Sequence, residues 1–194
     1  MKVGIINVTG YAGAELVRIL YRHSEAEIAS VTGRSAAGKR LPEVLPHLWR
    51  LDLPITQSLE GSLDVVFSAL PSGASAQVLA PLIESGIDVI DIAADFRLDD
   101  PIVFQKAYKI NHPTPLLLDR SIYGLPELYR EAISKATLVA NPGCFPTAAI
   151  LALAPAVKEG LILDDIVIDA KSGISGAGRG SLGVNSIDHF AEAN

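Results

Sequence analysis

The opening of the chain, from Lys2 to Thr32, leaves few folds open. Lys2–Asn7 (KVGIIN) is a short, nearly unbroken apolar run, the pattern of a strand buried on both faces. A glycine-bearing turn follows. Ala12–His23 then places Leu16, Val17, Ile19 and Leu20 at helical spacing. Glu27–Thr32 (EIASVT) reads as a second strand. Strand, turn, helix and strand in this order form a βαβ unit, whose crossover makes the two strands parallel.

The alternation continues. Asp64–Leu70 (DVVFSAL) reads as a buried strand, Ala74–Ser85 as a helix stopped by Gly86, and Asp88–Ile92 (DVIDI) as another strand. Leu138–Ala140 is a short strand, Thr147–Val157 a helix, and Asp165–Lys171 (DIVIDAK) a late strand. Arg34–Gln57 is loop-like, with Pro42, Pro46 and Pro54. Asp99–Tyr129 is irregular, with one helix at Pro101–Tyr108. The expected fold class is α/β: a doubly wound, Rossmann-type parallel sheet followed by the start of an α+β catalytic domain. A boundary near Asn141–Cys144 divides residues 1–143, a nucleotide-binding domain, from residues 144–194. One helix, one strand and one loop cannot bury a core alone, so the chain reads as the front part of a longer protein.

Composition narrows the function classes. A net charge of −6 argues against nucleic acid as a partner, because phosphate binding needs a basic face. The single cysteine rules out an intrachain disulfide framework and fits a reducing cytosol. The apolar run at the N-terminus is too short for a signal peptide. The most apolar stretch, Leu138–Val157, contains three prolines and reads as strand, turn and helix rather than a membrane span. The expected location is cytoplasmic.

Thr9-Gly10-Tyr11-Ala12-Gly13 lies where a doubly wound fold holds a pyrophosphate. Glycines there let backbone N–H groups approach phosphate at a helix N-terminus. The usual spacing would place a further glycine at Asn7. Asn tolerates the left-handed conformation better than most residues. The second strand usually ends on a carboxylate that binds the ribose of NAD. Here the chain reads Gly33-Arg34-Ser35, and Arg34 with Ser35 can meet a 2′-phosphate, which favours NADP over NAD.

Gly178-Arg179-Gly180-Ser181-Leu182-Gly183 copies the dinucleotide spacing but lacks a following strand, and Asn7-Val8-Thr9 copies a glycosylation acceptor at the end of a buried strand. Both are discounted. None of His23, His47, His112 and His189 stands at metal-ligand spacing, so no metal site is expected. His23, His47 and His112 read as surface or loop residues. Arg97, just past a strand, can clamp a carboxylate or phosphate, or else pair with Asp95 or Asp99.

Cys144 carries the most pointed chemistry. It sits between the strand Leu138–Ala140 and the helix that follows. The first N–H groups of a helix stabilise an anion, so a thiol there ionises more readily than a free one. The thiolate is the nucleophilic form, which makes Cys144 a candidate for covalent catalysis. A buried structural cysteine is the alternative.

Six segments together resemble the N-acetyl-gamma-glutamyl-phosphate reductases, relatives of aspartate-semialdehyde dehydrogenase. They are TGYAGAEL (9–16), SALPSGAS (68–75), IDIAADFRL (90–98), YGLPELYR (123–130), NPGCFPTAA (141–149) and DAKSGISGAGR (169–179). The resemblance implies an NADPH-dependent enzyme that is a homo-oligomer at full length and acts on a small acyl phosphate. Cys144 would displace phosphate to form a thioester, which hydride reduces to the semialdehyde. Gly10 and Gly13 match the family's pyrophosphate loop, and Pro71 lies in its second cofactor segment. Ser172, Gly173 and Gly176 match its glycine loop beside the nicotinamide and thiol. Arg97, Asn141 and Ser175 would meet the substrate.

The chain also departs from the family. Asn7 replaces a glycine, and Ala93 stands where serine is common. The His-Arg-His-x-Pro-Glu stretch that supplies the acid–base histidine is not found before Asn194, and His189 does not match it. Two alternatives stay open: a reductase of a carrier-linked aminoadipyl phosphate in lysine synthesis, and a catalytically incomplete NADP-binding piece.

Overall fold

The computed structural model describes residues 1–162 and 165–178. Seven parallel strands form one sheet: β1 Lys2–Ile6, β2 Glu27–Thr32, β3 Ile55–Thr56, β4 Val65–Ser68, β5 Asp88–Asp91, β6 Ser121–Tyr123 and β7 Leu138–Ala140. Their order across the sheet is β3-β2-β1-β4-β5-β7-β6. The chain leaves β1 towards β2 and β3, then returns to place β4 on the other side of β1. The loops after β1 and β4 therefore diverge, and this switch point is where such sheets open a crevice for ligands.

The two faces are covered separately. Val3, Ile5 and Val65 point to one face, where α1 (Tyr11–Leu20) packs Val17 and Leu20 against them and the short α2 (Leu41–Val44) adds Leu41 to the same cluster. Ile6, Val66 and Val89 point to the other, under Ala76, Leu79 and Ile83 of α3 (Ser75–Glu84). Alternation along each strand supplies both cores, as a doubly wound sheet requires.

Helix ends follow local chemistry. The Gly86 N–H bonds to the Ile83 carbonyl and the Ile87 N–H to the Leu82 carbonyl, with Gly86 at φ +85°. This pair of bonds is a Schellman stop for α3. In α4 (Pro101–Tyr108) the Asp100 carboxylate accepts the Ile102 N–H at 2.7 Å, and Pro101 takes the first position, where no N–H is needed.

Four expectations from the sequence are corrected. First, the stretch 34–57 read as loop-like holds the short helix α2, Leu41–Val44, and the edge strand β3 paired with β2. Asp165–Lys171 forms no strand: among the described residues nothing pairs with it, and Val167 is 94% exposed. Apolar alternation alone cannot make a strand without a neighbour to take its backbone bonds. The stretch read as irregular holds β6 and α5 (Pro126–Ile133), which cross over into β7. Finally, α6 begins at Cys144 and runs to Lys158, three residues earlier than its sequence suggests. Pro146 signals a break, yet it falls in the first turn, where helix N–H groups lack intrahelical partners anyway.

Candidate active site

The turn after β1 builds the first half of the site. Asn7 adopts φ +68°, the left-handed backbone for which glycine is the usual residue at such a turn. Its side-chain amide donates to the Ala69 carbonyl at 2.8 Å, tying this turn to the one after β4. Gly10 is the N-cap of α1. Gly13 lies against the turn itself: a Cβ there would sit 2.1 Å from the Asn7 carbonyl oxygen. The left-handed Asn7 and the bare Gly13 together bring α1 close to β1, with its first N–H groups over the switch point.

A cleft of about 380 Å³ opens there. The β1 turn contributes Asn7 and Thr9, and the end of β2 contributes Gly33, Arg34 and Ser35. Pro71 closes it from the β4 side. Gly10, Tyr11, Ala12 and Gly13 form the cap and first turn of α1 beside the cleft, and none of the four lines it. Gln57, Leu70, Ala74 and Val78 also line it. Sequence reasoning singled out none of these four: Leu70 and Ala74 lie in the SALPSGAS segment but carry no polar side-chain chemistry, and Gln57 and Val78 reach the cleft only through sheet order. Among the described residues, Arg34 is the only charged one in the lining. A larger concavity of about 890 Å³ surrounds α5 but is lined by that helix region alone, so no second element converges on a ligand there.

The second half of the site follows β7. Cys144 is the first residue of α6 and its side chain is exposed. Pro146 brings no N–H, so the helix end offers those of Cys144 and Phe145 beside the sulfur. The Thr147 N–H and hydroxyl both bond back to the Gly143 carbonyl, at 3.0 and 2.8 Å, which closes the first turn. Asn141 is half-buried and its backbone N–H bonds to the Asp91 carbonyl at 2.8 Å. Arg97 makes neither of the salt bridges considered from sequence. Its Nε donates to the Asn141 carbonyl at 2.8 Å and its Nη2 to the Ile92 carbonyl at 2.7 Å. Because all strands are parallel, the cleft and Cys144 share one edge of the sheet. β7 is two strands from β4, a lateral step of about 10 Å.

A buried polar network joins the halves. Asp95 accepts the Gly73 N–H at 2.7 Å and the Ala76 N–H at 3.1 Å, capping α3 from outside its own sequence. Asp91 is fully buried and accepts the Ser75 hydroxyl at 2.6 Å and the Ala93 N–H at 3.2 Å. Burial pushes its carboxyl above the usual range, and the Ser75 hydrogen bond opposes the rise. His112 corrects the surface reading. It is 7% exposed, packed edge-on against Phe96 and Phe104, with Nε2 3.0 Å from the Asp95 carbonyl. The Thr114 N–H points at Nδ1, so the ring is neutral with its hydrogen on Nε2. Burial lowers its pKa from 6.5. His23 and His47 are exposed.

Ser172, Gly173, Ser175 and Gly176 lie in and before a short 3-10 turn, Ile174–Ala177; all four are exposed, and none lines the cleft. His189 and Gly180–Gly183 lie outside the described residues. Among the described residues no three His, Cys, Asp or Glu side chains gather to hold a metal ion, and no helix is long and apolar enough to cross a membrane.

A switch-point cleft with a glycine turn, and a cysteine at a helix start on the same sheet edge, define a nucleotide-binding fold with a thiol site. Residues 2–136 match the family described as semialdehyde dehydrogenase, NAD binding domain, and residues 144–194 match semialdehyde dehydrogenase, dimerisation domain. The chain belongs to the semialdehyde dehydrogenase family. It is 60% identical to the N-acetyl-gamma-glutamyl-phosphate reductase of Dehalococcoides mccartyi over 92% of this chain and 52% of that one. It is 48% identical to the enzyme of the same name from Desulforudis audaxviator, over its whole length and 57% of the relative. The chain thus spans about half the length of these relatives. Among solved structures, aspartate semialdehyde dehydrogenase with NADP from Candida albicans superposes with a TM-score of 0.61 at 20% identity, over 84% of this chain and 48% of that one. Aspartate semialdehyde dehydrogenase II from Vibrio cholerae gives 0.59 at 18% identity, over 81% and 46%. These two share the fold.

Proposed function

We propose that this chain carries the cofactor site and the nucleophile of an NADPH-dependent N-acetyl-gamma-glutamyl-phosphate reductase. The observation that carries the proposal is Cys144 at the first position of α6, on the sheet edge that also holds the cleft. The name shared by relatives at 48–60% identity supports this substrate over the aminoadipyl alternative.

The cleft residues suit a phosphorylated dinucleotide. The N–H groups at the start of α1, from Gly10 to Gly13, receive the pyrophosphate. Arg34 and Ser35 would receive the 2′-phosphate, with no carboxylate among the described lining residues to repel it. Thr9 and Pro71 flank the dinucleotide. NADPH bound there supplies the hydride. The Cys144 sulfur attacks the acyl carbon of the substrate and expels phosphate, so the C–S bond replaces the C–O bond. The Cys144 and Phe145 N–H groups would stabilise the oxyanion as charge develops, and the glycine loop Ser172, Gly173 and Gly176, exposed and away from the cleft lining here, would hold the nicotinamide end. After hydride uptake the C–S bond breaks, releasing the semialdehyde and the thiolate. Asn141, Ser175 and the remaining Nη1 of Arg97 meet the substrate. In this reading the domain boundary falls between Gly143 and Cys144, and residues 144–194 begin a domain through which cytoplasmic copies of the full-length protein pair.

The test is direct. In the full-length protein, Cys144→Ser abolishes turnover while NADPH still binds. Retained turnover in that variant refutes the assignment.

A further inference from the structure

The segment Asp91–Arg97 touches both halves of the site. At one end Asp95 accepts the Gly73 and Ala76 N–H groups, and the Ala94 N–H bonds to the Ser72 hydroxyl at 3.2 Å. These bonds hold the turn that follows Pro71. At the other end Arg97 reaches across to β7 and the turn after it. Two of its guanidinium nitrogens are committed: Nε to the Asn141 carbonyl and Nη2 to the Ile92 carbonyl. The third, Nη1, lies beside Gly143, where a Cβ would be 3.1 Å from it. Gly143 has φ −73°, a conformation open to any residue. A side chain there would press on the guanidinium by a few tenths of an ångström, so the tight approach at this position is to Arg97 and not a demand of the backbone.

From this we infer that Arg97 is a positioning residue for Cys144: its planar fork ties the β5 loop to the Asn141-Pro142-Gly143 turn and so fixes the direction in which α6 starts. The inference deepens the proposed function and rests on Cys144 being its nucleophile. The fork matters, not only the charge. Arg presents rigid, coplanar donors that can hold two carbonyls at once, whereas Lys presents one flexible ammonium. Both accepting carbonyls belong to backbone that must turn sharply: Ile92 just after β5 and Asn141 just after β7. The sulfur is already exposed, so a loosened turn would not uncover it further. A loosened turn would misalign the Cys144 and Phe145 N–H groups beside the sulfur and slow its reaction.

The experiment measures the alkylation rate of Cys144 by iodoacetamide, a neutral probe, in full-length wild type, Arg97→Lys and Arg97→Ala, without substrate or cofactor. Circular dichroism and thermal melting establish that each variant is folded. The expected result is that R97K slows alkylation by roughly 3- to 10-fold, a loss of alignment and not of charge. R97A slows it at least as much. R97K keeps the stem and the charge and carries the test alone if R97A does not fold. Alkylation of R97K at the wild-type rate overturns the inference. Because the readout needs no turnover, failure of the reductase reading appears separately, as absent activity in wild type.

Discussion

Gly10 and Gly13 read alike in the sequence, yet the structure gives them different work, and alanine separates them. At Gly13 the added Cβ would lie 2.1 Å from the Asn7 carbonyl oxygen and 2.8 Å from the Val8 Cα. Both are backbone atoms and neither can rotate away. Helix α1 would have to retreat from β1 by about 1 Å to restore ordinary contact, loosening Val17 and Leu20 from the core they fill. Over-packing of this kind costs about 1–3 kcal/mol and more when backbone must shift. Helix propensity works the other way, since alanine within a helix is better than glycine by about 1 kcal/mol. The steric cost wins, and the net loss is about 2 kcal/mol or more, a sizeable part of a typical stability of ~5–15 kcal/mol. At Gly10 the added Cβ meets nothing closer than 3.5 Å, and φ −78° with ψ 165° suits alanine. The expected loss there is under about 1 kcal/mol. Urea unfolding of the full-length protein, compared at constant slope, measures both. If Gly13→Ala unfolds within 0.5 kcal/mol of Gly10→Ala, a threshold of roughly the usual surface-substitution scatter, the close approach of α1 to β1 is not what requires the glycine.

Two further outcomes follow from the site. Arg34→Ala weakens NADPH binding by roughly 10- to 100-fold, the worth of a charge-assisted contact to the 2′-phosphate, and leaves NADH binding unchanged; nicotinamide fluorescence titration reads both, and equal effects on the two cofactors would sink the assignment. His112 makes stability depend on pH. Its folded pKa lies below 6.5, so between the two values the unfolded chain binds more protons. Stability is fully present above pH 6.5 and is lost as pH falls towards the folded value. The stability difference between wild type and His112→Asn should therefore be flat above pH 6.5 and shift against wild type below it; a difference that does not vary with pH rules the mechanism out.

Much of the fold was legible because parallel strands buried on both faces are nearly pure apolar runs. KVGIIN, DVVFSAL and LVA announce themselves, and each is bounded by turn residues. β6 escaped because its three residues are half-exposed and gain their bonds only from β7. Asp165–Lys171 misled in the opposite sense: it carries strand-like residues with no described partner. The cysteine and the glycine turn were visible as motifs. The Asp91, Asp95 and His112 network was not, because the bonds that join it to other segments span 16 or more residues along the chain.

The amino-acid sequence by itself determined the kind of fold, the phosphate turn and the thiol's place at a strand-to-helix junction. All of these depend on neighbours within a few residues, where periodicity and turn chemistry act. Tertiary structure alone decided which glycine is indispensable, where Arg97 spends its donors, and why a histidine in a loop is buried and neutral. Those outcomes depend on contacts between segments distant in sequence, which form only once strand order has brought β1, β4, β5 and β7 to one edge.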